Sequence, residues 1–200
     1  MADRHLDEIR AFLEQSRDAI AASLADDGFM ASISAAAEAI TRALAGGRKI
    51  LLAGNGGSAA DAQHIAGEIV GRFMFDRAPL AALALTVDSS ILTAVANDYG
   101  VEHIFERQVR GLGQAGDVFL GLSTSGGSPN IVAALEAARH LGITTVGLTG
   151  DRKGPMLAHC DIAIEVPSPS TPLVQQVHMT VGHILCAIAE ERIFGAQRNA

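Results

Sequence analysis

The chain reads as an α/β fold: a doubly wound, five-stranded parallel sheet flanked by helices, preceded by a helical hairpin. Three observations predict it. From Lys49 onward, short apolar runs alternate with helical patterns. Most of those runs are continuously apolar, as parallel strands covered on both faces must be. Two of them pass directly into turns rich in glycine and serine that open helices. Ligands of doubly wound sheets sit at such turns, beyond the carboxyl ends of the strands.

Residues 3–26 carry Leu6, Ile9, Leu13, Ile20 and Leu24 at helical spacing among charged residues. Asp26-Asp27-Gly28 breaks this helix. Residues 29–45 form a second, Ala-rich helix with Ile33, Ala37, Ile40 and Leu44 on one face, ended by Gly46-Gly47. Two leading helices cannot bury both faces alone. They pack on a partner subunit or on the domain behind. Strands are expected at Ile50–Ala53, Leu80–Val87, Val118–Leu122, Thr144–Leu148 and Ile162–Val166. Helices fill the gaps near 59–73, 90–96, 101–111, 129–141 and 173–194. The expected division is a hairpin over 1–47 and the α/β domain over 48–200, together one folded unit.

The 200 residues, 48% hydrophobic, supply an ample core, and with 4% aromatics it is built from Ala, Leu, Ile and Val. A net charge of -7 argues against a nucleic-acid surface. It does not argue against a small phosphorylated ligand, which reads local dipoles. Cys160 and Cys186 have no metal-like spacing and no disulfide framework. The charged opening MADRHLDEIR has no leader-like apolar stretch, and no run approaches the ~20 residues of a membrane span. The expectation is a reduced, cytoplasmic protein without membrane or nucleic-acid partners.

Two turns carry the chemistry. After the first strand come Gly54, Asn55, Gly56, Gly57 and Ser58, where backbone N–H groups can approach an anion. With Ala59 the turn only weakly matches a dinucleotide pattern, and Asp88 stands too late to hold a ribose. After the third strand come Ser123, Thr124, Ser125 and Ser128, four hydroxyls within six residues. Ser128 can cap the next helix and Pro129 suits its first position. Hydroxyls beside free helix N–H groups make a phosphate site without lysine. His64 and Glu68 share a helix face after the first turn, although Glu68 could instead pair with Arg72 four residues on. The last helix carries Gln175, Gln176, His178 and His183 among apolar residues. Gln175 and His183 stand about 12 Å apart along its axis. His178 reads as a core or interface histidine. Asn97-Asp98 lies near a helix end, positioned for substrate hydroxyls or simply for a helix terminus.

The segments AGNGGSAADAQHIAGE, Asn97-Asp98-Tyr99-Gly100, GLSTSGGSPNI and TPLVQQVHMTVGHI together resemble the phosphoheptose isomerases of the sugar isomerase (SIS) fold. The likeness spans nearly the whole chain. It implies five strands in flavodoxin-like order and a homotetramer with sites at subunit interfaces. It implies conversion of sedoheptulose 7-phosphate to D-glycero-D-manno-heptose 7-phosphate, the entry to heptose for lipopolysaccharide core or related surface glycans. By matching positions, Ser123, Thr124, Ser125 and Ser128 hold the phosphate. Asn55, Gly56, Gly57 and Ser58 line the sugar, Asn97 and Asp98 reach its hydroxyls, and Gln175 also touches it. Glu68 and His183 match the acid/base pair. His64, Glu68, Gln175 and His183 match the ligands of one zinc ion per subunit. Pro172 and Leu173 replace more polar residues of the family, and Gln176 its commoner Glu. A non-catalytic relative that associates with the replication initiator is the competing reading. It is expected to lack the catalytic glutamate and the last-helix histidine. A sugar-phosphate-sensing regulator would carry a DNA-binding domain for which the leading helices are too short and too acidic.

Overall fold

The computed structural model describes residues 2–197, with side chains from His5 onward. Five parallel strands form one sheet in the order β2-β1-β3-β4-β5. They are β1 (Ile50–Gly54), β2 (Ala82–Ala84), β3 (Val118–Leu122), β4 (Thr144–Thr149) and β5 (Ile162–Glu165). One register row runs Leu52, Leu120, Val146, Ile162 across four of them. The helices are α1 (Ala2–Leu24), α2 (Asp27–Ala45), α3 (Gly57–Val70), α4 (Ser89–Tyr99), α5 (Glu106–Leu112), α6 (Pro129–His140) and α7 (Thr171–Phe194). This is the expected fold and strand order.

Alternate strand residues point to opposite faces. Ile50 and Leu52 enter a core shared with α2, α3 and α7, whereas Leu51 and Ala53 enter one shared with α5 and α6. Both faces are covered, which is why β1 and β3 are apolar at every position. Asp117 ties their starts together. Its fully buried carboxylate accepts from the amides of Lys49 (3.1 Å) and Gln114 (2.8 Å) and meets Lys49 Nζ at 2.7 Å.

Local differences from the sequence reading have physical causes. β2 spans three residues rather than Leu80–Val87, because it pairs with β1 alone, at Ile50 to Leu52. Past Leu85 the chain leaves the sheet: the Thr86 hydroxyl engages Ala59 O and Gln63, and Asp88 caps α4 through Ile91 N. α2 begins two residues early because Asp26 caps it, accepting from Phe29 N at 3.0 Å. The helix expected at 101–111 is split by a 3-10 turn, Val101–His103, entered through Gly100 at φ +100°.

The leading helices behave differently. α2 buries Phe29, Ile33, Ala37, Ile40 and Leu44 in the core against α7. α1 leaves Leu6, Ile9, Phe12, Leu13, Ile20 and Leu24 on the surface. A contiguous stripe of that kind marks a contact surface more often than a solvated one.

Candidate active site

α3 and α7 bring the chemistry together. They pack side by side, and Gly182 permits their close approach: a Cβ there would lie 2.7 Å from the Ile65 side chain. The next residue, His183, thereby faces His64 across the helix pair, Nε2 to Nε2 at 3.1 Å. At that separation one ring can donate its N–H to the other's lone pair, or both lone pairs can face one cation. Glu68 Oε1 stands 3.2 Å from His64 Nε2, with its side chain 26% exposed. Glu68 therefore pairs with His64; no ion pair to Arg72 occurs among the described residues. The ligand atoms of His64, Glu68 and His183 lie within 4.8 Å of one another. Two imidazoles and a carboxylate form a donor set suited to zinc. Cys186 is not among the side chains whose ligand atoms gather there. Burial, then the nearby Glu68 charge, pushes its thiol up to about 12.

Gln175, two turns earlier on α7, lies against the first turn. A Cβ at Gly57 would stand 2.2 Å from its amide nitrogen. His64, Glu68 and His183 thus meet within one chain, and Gln175 lies beside the turn that opens α3. Gly56 takes φ +55°, a left-handed geometry that favours glycine, and α3 starts without a side-chain cap. Ser58 is buried. Asn55 differs from a free sugar-facing amide. It exchanges two hydrogen bonds with Asn130 at the start of α6, at 2.9 and 2.8 Å, which join the two turns.

In the second turn, Ser128 does not cap α6 with its side chain, as the sequence allowed. Its hydroxyl instead meets Ser123 Oγ at 2.9 Å. Ser125 Oγ accepts from Gly127 N at 3.2 Å, and Thr124 is half-buried. Gly126, at φ +66°, packs directly on Gly154, which leaves the loop no room for a side chain. Asn55, Ser128, Pro129 and Asn130 line a cavity of about 540 Å³ with Val101 and Glu102. Asn97 and Asp98 are exposed on α4 and bond to each other at 2.8 Å. The turn that follows them, rather than their side chains, reaches this cavity.

The SIS domain family model matches residues 4–150. A phosphoheptose isomerase of Burkholderia pseudomallei (strain 1710b) is 53% identical over 197 residues, 98% of this chain and 100% of that one. The structure of the Neisseria gonorrhoeae phosphoheptose isomerase aligns with TM-score 0.87 at 40% identity, covering 93% of this chain and 98% of the other. The Francisella tularensis phosphoheptose isomerase aligns with TM-score 0.89 at 36% identity, covering 94% and 98%.

The chain belongs to the phosphoheptose isomerases of the SIS domain family. It is thus an enzyme of the sugar isomerase class. Within this isomerase, two polar residues escaped sequence reasoning. Asn130 was visible only as part of the second loop, and its partner is 75 positions away. Asp61 lies inside the first motif, one turn before His64. One of its carboxylate oxygens is sealed from solvent with no hydrogen-bond partner among the described residues. Burial raises its pKa above the ordinary carboxylate value, with His64 pulling the other way. Its signal in the sequence was an acid on an otherwise small-residue helix face.

Proposed function

We propose that the protein interconverts sedoheptulose 7-phosphate and D-glycero-D-manno-heptose 7-phosphate by enediol proton transfer. The observation that carries this reading is the meeting of Glu68 and His183, from α3 and α7, around His64 beside the two loops. Ketose–aldose isomerisation needs one base over C1 and C2 and a second group serving O1 and O2. Glu68 removes the C1 proton and returns it at C2. His183 opens the ring and moves the proton between the oxygens. Ser123, Thr124, Ser125 and Ser128, with the amides at the start of α6, hold the phosphate. Asn55, Gly56, Gly57, Ser58 and Gln175 line the sugar. Asn97 and Asp98, which stand outside this chain's cavity, meet the sugar's hydroxyls only where a second subunit completes the site.

One zinc ion per subunit would be held by His64, Glu68 and His183, with Gln175 as a fourth donor. When bound it supplies a Lewis acid that polarises the sugar carbonyl. Its hold on Glu68 must stay loose, since a tightly coordinated carboxylate is a poorer base. The exposed stripe of α1 supports a homotetramer assembled through the hairpin of residues 1–47, with the SIS domain over 48–200. No helix among the described residues is long and apolar enough to cross a membrane. The reading places the enzyme in the cytoplasm, supplying heptose for lipopolysaccharide core or related surface glycans.

The deciding experiment is an isomerase assay on sedoheptulose 7-phosphate, with and without a chelator. Turnover that the chelator suppresses and zinc restores is expected. No turnover with zinc present would return the chain to a non-catalytic role.

A further inference from the structure

A buried ion pair lies just behind the site. Arg77 Nε stands 3.0 Å from Glu190 Oε1, and the two side chains are 3% and 1% exposed. Burying two ions is costly, and such a pair is weak evidence for stability in itself. What distinguishes this one is where its remaining hydrogen bonds go. Glu190 accepts from Phe73 N at 2.8 Å and Met74 N at 2.6 Å. Arg77 Nη2 donates to Glu68 O at 3.0 Å. Its Nη1 donates to Ile69 O at 2.9 Å, Ala78 O at 3.0 Å and Gly71 O at 3.2 Å.

The last carbonyls of a helix have no intrahelical partner and carry its negative end. At α3 those carbonyls belong to the turn that bears Glu68, and one guanidinium covers two of them, Glu68 O and Ile69 O, with Gly71 O just beyond. The other half of the pair sits on α7, seven residues beyond His183. The segment that Glu190 grips also serves His183, because the Phe73 ring lies 5.4 Å from the imidazole. Arg77 further stacks over Phe194 near the end of α7, 5.7 Å from its ring centre. The pair therefore joins the ends of the two helices that carry Glu68 and His183.

We infer that Arg77 and Glu190 are positioning residues for the isomerase. They hold the backbone at Glu68 and Phe73 so that the Glu68 carboxylate and the His183 ring keep their mutual geometry. This rests on the reading of Glu68 and His183 as the acid/base pair. A 1 Å displacement of such groups costs about 100-fold in rate, whereas the phosphate loop lies on other elements and keeps its grip on substrate.

The test uses two variants of the full-length enzyme. Arg77→Lys keeps the charge but offers three donors at one point in place of the fork that reaches four carbonyls and Glu190. Arg77→Met with Glu190→Leu replaces the pair by apolar groups, which often preserves folding. Both are followed by thermal melts, by kcat and KM on sedoheptulose 7-phosphate, and by hydrogen exchange at the amides of 68–74. The expected result is a folded protein whose kcat falls by about 10- to 100-fold, with KM within about threefold of the parent and with faster exchange at 68–74. A folded double variant with parental kcat overturns the inference, and so does a KM that rises while kcat holds. If Arg77→Lys does not fold, the double variant decides. If the parent itself shows no turnover, the proposed function fails instead. Exchange then judges the positioning role alone: unchanged protection at 68–74 would overturn it.

Discussion

Replacing Gly57 with Ala puts a methyl group where the Gln175 amide lies. The new Cβ would stand 2.2 Å from Nε2, 3.1 Å from Cδ and 3.2 Å from Oε1. Non-bonded contacts of this kind settle near ~3.5 Å, so the amide must retreat by more than about 1 Å. It is the far end of a flexible side chain and can do so cheaply. The backbone favours the change. Gly57 opens α3 without a positive φ, and Ala is better than Gly in a helix by up to about 1 kcal/mol. The melting temperature should hold or rise slightly. The cost falls on function. A hydrogen bond to a charged or strongly polar partner is worth about 1.5–3 kcal/mol, so kcat/KM should drop by about 10- to 100-fold. Gly54→Ala is the control. Its Cβ would meet the Ser58 carbonyl oxygen at 2.4 Å and carbon at 2.6 Å, and backbone cannot swing aside. That variant should lose about 1–3 kcal/mol or more of stability. Steady-state isomerase kinetics and thermal melts on both proteins settle the matter. A Gly57→Ala enzyme with kcat/KM within about twofold of the parent would remove Gln175 from the site. A sharply lowered melting temperature would refute the argument that the side chain yields.

Further expectations follow from the same geometry. Glu68→Gln should abolish turnover while leaving assembly and sugar-phosphate binding intact, measured by sedimentation and calorimetry; retained turnover would remove Glu68 as the base. Ser125→Ala with Ser128→Ala should raise KM far more than it lowers kcat, and an unchanged KM would sink the phosphate assignment. Stability should fall on acidification, with His178 a main cause. Burial in the core holds its imidazole down to about 4, from an ordinary 6.5. The unfolded chain binds the proton first, so its contribution is complete above pH 6.5 and is lost as pH falls toward 4, about 3 kcal/mol in all. Burial also opposes the charged forms of Asp117 and Glu190, but their hydrogen bonds outweigh it and hold both below the usual carboxylate values. Their stabilisation is lost at still lower pH. Denaturant melts between pH 7 and 4 should show this slope flattened in His178→Leu. An equal slope in that variant would refute the assignment.

Much of the architecture was legible along the chain because its causes are local. β1 and β3 are apolar at every residue since both their faces are covered, and that signature needs no knowledge of neighbours. The apolar run from Leu80 to Val87 misled for the opposite reason. Apolar character makes a strand possible, but only a partner makes it one, and β1 offers hydrogen bonds to three residues. Ser128 is similar. A serine before Pro129 reads as a cap, yet the hydroxyl turns to Ser123 across the loop. Glu68 had two eligible helix neighbours, His64 and Arg72. α3 stops at Val70, which takes Arg72 off the helix and leaves His64.

The sequence by itself determined which chemistries exist: two turns able to meet an anion, a carboxylate and imidazole one helical turn apart, an amide and a second imidazole two turns apart. Each follows from residue type and helical or strand period over a few positions. Only the tertiary structure decided which of them meet. His183 reaches His64 because Gly182 lets α7 close on Ile65, a contact across more than a hundred residues. Asn130, Arg77 and Glu190 gain their roles the same way. Asn130 pairs with Asn55, and Glu190 with Arg77 and the amides of Phe73 and Met74, all far along the chain. The carbonyls that Arg77 covers are nearby backbone atoms that every residue possesses, so nothing in the local pattern distinguishes these three residues before the chain is folded.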